Sequence, residues 1–279
     1  MTRFVGCLAV PVVLLMCLAE LSPAQEIFRD RNLDTAVRKY VFDKRDNQKP
    51  LLESDLVNIT TIAGKSRGIR DLSGLEKCRR LALLDLEGNE ITDLTPIRQL
   101  SNLQSLNLAK NRVTDAAPLA GLTNLQYLQL SGNRIQELAP LAQLSGLRSL
   151  YLSGNGVRDI ESLKGLADLR SLYIDRNEIS SLEPLSQLVR LETLDVRANR
   201  VADLTPLRKL AGWKYLFLDG NQITNLQSLI EMGSADQAGP RRFAAFWQIS
   251  LNGNPLDGGV RSTQLDQLRR VSRSVTFER

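Results

Sequence analysis

The sequence predicts an α/β solenoid, and two observations carry that reading. One 22-residue phrase recurs seven times without a gap between Leu81 and Ser234, and LQYLQLSGNRIQELAPLAQLSG, from Leu125 to Gly146, is one copy. Each copy also places an asparagine at the same point, at Asn89, Asn111, Asn133, Asn155, Asn177, Asn199 and Asn221. A unit this short cannot bury its own apolar face, so the copies must stack into one elongated domain whose two ends need lids. The predicted organisation is a leader over 1–24, a helical N-terminal cap over 25–58, repeats over 59–254 with an insertion at 235–245, and a C-terminal cap over 255–279.

Composition narrows the function. The 279 residues contain no histidine, which removes Ser-His and Cys-His nucleophile pairs and imidazole metal sites. A net charge of +5, with no Lys/Arg run longer than two, argues against a nucleic-acid partner. Residues 1–25 hold Arg3, an apolar run from Phe4 to Ala19, then Ser22, Pro23 and Ala24. This pattern predicts a secretory signal cleaved after Ala24, hence a secreted or periplasmic protein. The run is short for a membrane span of about 20 residues and contains Pro11, so a retained anchor is the lesser alternative. Cleavage removes Cys7 and Cys17 and leaves Cys78 alone, so no internal disulfide can form.

Taken in order, Leu33, Ala36, Val37, Tyr40 and Val41 mark one face of a helix within Phe28 to Asp43, with Asp30 or Asn32 as its N-cap. Ser54 begins a second helical turn. Residues 59–80 form a degenerate first repeat, in which Ile59, Ile62, Ile69, Leu72 and Leu75 keep the apolar places and Arg67 replaces the asparagine. Cys78 fills a position that Leu100 and Leu122 occupy later, which predicts a buried thiol.

Within a full repeat, Leu128 and Leu130 alternate with Gln129, the period of a short strand with its leucines inward. Asn133 then turns the chain, its amide satisfying backbone groups left open by the bend. Gly88, Gly132, Gly154 and Gly220 ease that turn. On the return side, prolines at 96, 118, 140, 184 and 206 exclude a strand and suit a short helical or 3₁₀ turn. Asp93, Asp115, Asp159 and Asp203 are placed to cap it.

This phrase resembles the leucine-rich repeat, and its length, with I-x-D-L-x-P-L after the asparagine, is similar to the internalin-type bacterial subclass. The resemblance extends to both ends, to a helical cap over Phe28 to Thr60 and to a C-terminal cap from NPLD at Asn254 onward. It implies a curved right-handed coil with a parallel β-sheet on the concave face, 3₁₀ turns on the convex face, and a binding role with many partners among its members.

The period breaks once, because Asn254 follows Asn221 by 33 residues. The added segment, Ala235 to Ala245, is either an extended connection or helical turn, or a rim loop whose Arg241, Arg242 and Phe243 touch a ligand's edge. Phe246, Ile249, Leu251 and Asn254 then complete a last repeat, Leu265 and Leu268 mark a closing helix, and Val275 with Phe277 a final strand.

Strand positions six, four and two before each asparagine face away from the core. Four of the chain's five tyrosines fall among them, far above a random share. Tyr151 and Tyr173 share one column with Asp195 and Phe217, and Tyr127 and Tyr215 flank them. Together with Asp175, Arg197 and Asp219 they have the composition of an interface centre. Tyrosine is also a good strand residue whose stacking steadies a sheet. The expected function is therefore a non-catalytic, exported module that binds a protein on its concave face, a glycan being the second candidate ligand. The alternatives are an envelope scaffold acting through its convex face and a glycan-cleaving enzyme using acids such as Asp175 and Asp195. No cofactor or metal is called for, and the sequence does not define an oligomeric state.

Overall fold

The computed structural model describes residues 26–259 and 261–278; the predicted leader and its cleavage point lie outside them. Ten strands form one open parallel sheet in sequence order: β1 Thr61–Ala63, β2 Leu83–Asp85, β3 Ser105–Asn107, β4 Tyr127–Gln129, β5 Ser149–Tyr151, β6 Ser171–Tyr173, β7 Thr193–Asp195, β8 Tyr215–Phe217, β9 Gln248–Ser250 and β10 Ser274–Thr276. The register equals the repeat, so Leu106 lies opposite Leu128 and Tyr151 opposite Tyr173. Every repeat thereby stacks its leucines on those of its neighbours. Leu128, Leu130, Ile135, Leu138, Leu141 and Leu144 of one unit are all buried in a core that runs the length of the coil. Each such side chain contributes about 1.5–3 kcal/mol, and the gain appears only when the next unit covers it.

The asparagines form the predicted ladder. Asn133 Nδ2 donates to the Leu130 carbonyl of its own turn at 2.8 Å and to the Leu108 carbonyl of the preceding one at 2.9 Å. Its Oδ1 accepts the Val113 N–H at 3.0 Å. Because the asparagine serves the unit before it, the degenerate first repeat can do without one. The ladder also crosses the insertion, since Asn254 Oδ1 accepts the Ile223 N–H at 3.1 Å and Nδ2 reaches the Leu218 carbonyl at 2.9 Å.

The residue before each asparagine takes a left-handed backbone whether or not it is glycine. Gly88, Gly132, Gly154 and Gly220 lie at φ 72°, 69°, 64° and 64°, while Lys110, Arg176 and Ala198 are held at 56°, 52° and 52°. A residue with a Cβ is strained there by about 1–2 kcal/mol. Ala198→Gly is therefore expected to stabilise the protein by about 0.5–1 kcal/mol, after the greater freedom glycine gives the unfolded chain. A higher urea midpoint at unchanged slope would show it, and a lower one would refute the strain.

On the opposite side the prolines open 3₁₀ turns, at Thr95–Ile97, Ala117–Leu119, Ala139–Leu141, Glu183–Leu185 and Thr205–Lys209. The aspartates act one residue earlier than a conventional cap. Asp93 Oδ1 accepts the Thr95 N–H and Asp203 Oδ1 the Thr205 N–H, both at 2.8 Å, so each forms an Asx turn that satisfies the first open donor.

At the N-terminus, α1 (Arg31–Arg38) packs Leu33, Ala36 and Val37 on the first repeat, and α2 (Glu53–Leu56) adds Leu56. Asp30 caps α1 through the Asn32 and Leu33 N–H groups and, with its other oxygen, holds the Arg70 N–H at 2.7 Å. Tyr40, expected on the buried face, is 39% exposed. Its hydroxyl instead accepts the Ala63 N–H at 3.0 Å on the open edge of β1, where a backbone donor needs an acceptor more than the core needs another ring. Cys78 is buried, and loss of solvent pushes its thiol up to about 12.

At the other end, α3 (Gln227–Ala238) runs into the insertion and packs against the Thr205–Lys209 turn. Asp236 is buried beneath the turn that follows and accepts the N–H groups of Arg242, Phe243 and Ala244 at 2.9, 3.1 and 2.8 Å. This clamp brings Phe243 inward, edge-on to Trp247 at 5.4 Å. The last repeat departs from its predicted pattern: Trp247 is buried and Phe246 is 61% exposed, because the tight turn at Ala244–Phe246 rotates the chain by one residue. The coil closes with α4 (Arg261–Arg270), which buries Leu265 and Leu268, and with β10 alongside β9.

Candidate functional site

The concave surface is built by side chains that point away from the leucine core on successive strands. On it, Tyr127, Tyr151 and Tyr173 form a continuous row. The Tyr127 and Tyr151 rings are 5.3 Å apart and tilted by 47°, and the Tyr151 and Tyr173 rings are stacked at 4.6 Å and 6°. Phe217 and Tyr215 make a second group on β8, nearly parallel at 6.0 Å. Between the groups stands β7, whose Asp195 pairs in register with Tyr173 on one side and Phe217 on the other.

Arg197 joins the two halves. Its Nε and Nη2 grip both oxygens of Asp195 at 2.9, 3.1 and 2.6 Å, and its guanidinium lies 5.2 Å from the Phe217 ring centre. The hydrogen bonds that Arg197 donates to Asp195 push its pKa up, with Asp175 and Asp219 adding to the field. Burial pushes the Tyr127 and Tyr173 phenols up, and Tyr151 adds to both, so they stay neutral donors at physiological pH. The result is a ridge of rings with a neutralised ion pair across it.

The predicted acids do not share one role. Asp195 is only 1% exposed and Asp175 5% exposed, so neither rims an open patch. Asp195 is committed to Arg197, and Asp175 to Arg176 at 3.0 Å. An exposed carboxylate would keep its water, but a buried one needs a partner. Asp219 is partly buried and ties β8 to β9 through the Asn252 N–H at 2.7 Å and the Ser250 hydroxyl. The open part of the face is therefore the five rings and the guanidinium of Arg197. Of the insertion residues, Arg241 and Arg242 are exposed, whereas Phe243 belongs to the core and cannot meet a ligand. Asp175 and Asp195, the acids of the glycan-cleaving alternative, are thus each paired with an arginine. Among the described residues no group of three or more acids or cysteines could hold a metal ion, and no helix is long and apolar enough to cross a membrane.

A parallel sheet laid over a leucine core, turned by an asparagine ladder and backed by proline-opened 3₁₀ turns, defines a leucine-rich-repeat solenoid. The family profile described as Leucine Rich repeats (2 copies) matches residues 101–143 and 145–187. Internalin C2 of Listeria monocytogenes is similar at 33% identity over 74% of this chain and 91% of that one, with a TM-score of 0.71. A leucine-rich-repeat protein of Leptospira interrogans shares the fold at 21% identity, over 81% of this chain and 62% of that one, with a TM-score of 0.60. No curated protein matches the sequence. The chain belongs to the leucine-rich-repeat family, in its internalin-like class.

Proposed function

We propose that this chain is an exported, non-catalytic interaction module that binds a protein partner across its concave face. The observation that carries the proposal is the two groups of rings, Tyr127, Tyr151 and Tyr173 on one side of β7 and Tyr215 and Phe217 on the other, held partly open on the sheet. Rings in a folded monomer are usually covered, and tyrosine with arginine supplies much of the energy of protein interfaces. Strand residues lose little freedom on binding, so the ring area converts into affinity with little ordering cost. The leader-like pattern before residue 25 supports export.

Alanine at Tyr151, Tyr173 and Phe217 together tests the reading. In a pull-down from the extracellular or periplasmic fraction, this variant is expected to lose partner capture by at least about a hundredfold. Lost stacking should lower its stability by about 2 kcal/mol, leaving the circular dichroism of the fold intact. Capture that survives all three changes in a folded protein would sink the proposal.

A further inference from the structure

The insertion creates a surface that concave binding does not use. Around the C-terminal end of α3 lie four cationic residues, Lys209, Arg241, Arg242 and Arg270. Lys209 and Arg242 line one cleft between the Thr205–Lys209 turn and α3. Arg241 Nε donates to the Gln237 carbonyl at 3.2 Å, and the Gln237 amide donates to the Arg270 carbonyl at 2.9 Å. All four cationic residues are exposed. Of the neighbouring acids, Asp236 is bonded to three backbone N–H groups and feels the charge of Arg242, Glu231 pairs with Arg208, and Asp266 with Arg269. Among the described residues, no carboxylate forms an ion pair with Lys209, Arg241, Arg242 or Arg270.

The turn Ala244–Phe246 packs against the same helix, and its Phe246 is 61% exposed. In earlier repeats this position holds a buried Leu191 or Trp213. Here Trp247 has taken the core place, and the phenylalanine is turned out next to exposed Ala245. A projecting ring on a turn packed against α3, on the same end as four exposed cations that form no ion pair, has the makeup of an interfacial anchor: cations meet phosphate headgroups while the ring enters the acyl boundary. Nucleic acid would call for several rings along a charged groove, and this surface offers a single ring on a turn.

We propose that this end of the solenoid docks on an anionic lipid bilayer, through Lys209, Arg241, Arg242 and Arg270, with Phe246 as the inserting ring. The inference goes beyond concave binding and leaves that face open to a partner.

Co-sedimentation of the full chain with vesicles tests it. Vesicles of phosphatidylcholine mixed with phosphatidylglycerol are expected to retain the protein, those of phosphatidylcholine alone are not, and retention should fall with salt. Each cation removed should weaken binding about fivefold, so Arg241→Ser with Arg242→Ser should cost about thirtyfold. Phe246→Ser, at an exposed position that leaves the core untouched, should weaken binding severalfold. Equal retention by neutral vesicles would overturn the proposal. So would unchanged binding by the folded double variant and by Phe246→Ser, or tighter binding of single-stranded or duplex DNA to the same residues. Partner capture by the concave face is measured separately and can fail or succeed independently.

Discussion

Asn177→Leu is expected to destabilise the protein by about 3–5 kcal/mol, because three backbone donors lose their acceptor at once. Asn177 sits buried between the coils and fills its whole hydrogen-bonding capacity. Its Oδ1 accepts the N–H groups of Asn155, Gly156 and Val157 at 3.2, 2.9 and 3.0 Å. Its Nδ2 donates to the carbonyls of Leu152, Ile174 and Asp175 at 3.0, 2.9 and 3.2 Å. Leucine would fit the space and add apolar contact, so the size of the loss distinguishes polar satisfaction from packing. The carbonyls keep a second donor, because Asn155 also bonds Leu152 and Asn199 also bonds Ile174. The three donors do not, and Val157 is buried. Urea unfolding should show the drop, while Asn124→Ala, which removes one exposed bond to the Ser101 carbonyl at 2.8 Å, should cost less than about 1 kcal/mol. Equal losses in the two variants would mean that the ladder is not what holds the turns.

Asp236→Ala should cost about 3 kcal/mol and open the end of the coil before the rest unfolds. Burial pushes the Asp236 carboxyl up, but the Ala244, Arg242 and Phe243 N–H groups and the Arg242 charge more than offset this and hold it below the usual carboxylate range. The sign of the pH dependence follows. A group whose pKa is lower in the folded state adds stability that is complete above its unfolded value, about 3.9, and is lost as pH falls through the folded value. Wild type and Asp236→Ala should therefore differ most at neutral pH and converge in acid. Asp236→Asn keeps one acceptor and should fall between them. Trp247 reports the event, since releasing Phe243 from its side exposes the indole and shifts its emission to the red. Parallel pH profiles for wild type and alanine variant would show that the carboxylate is not the clamp.

The repeats were legible because their period sets each side chain's surroundings. A leucine 22 residues from another leucine stacks on it in the sheet register, and an asparagine at that spacing meets the same open backbone groups each time. Strands, turns, ladder and the outward columns with Tyr151 and Tyr173 all follow from that spacing, with no knowledge of distant contacts. Where the sequence stops repeating, spacing no longer determines a neighbour. Whether Phe243 rims a ligand or fills the core depends on Asp236 folding the insertion over Trp247, and whether Phe246 or Trp247 goes inside depends on the turn Ala244–Phe246. On the concave face, the columns gave Asp175 and Asp195 their places, but only the assembled surface decided that these carboxylates would be buried and held by Arg176 and Arg197. Positive φ at Lys110, Arg176 and Ala198 was equally hidden, because the turn is imposed by the stacked neighbours and not by the residue that bears it. Local pattern thus determined the coil and the face it presents, and tertiary contact decided which charges and rings remain open to a partner, because desolvation is a property of the assembled surface.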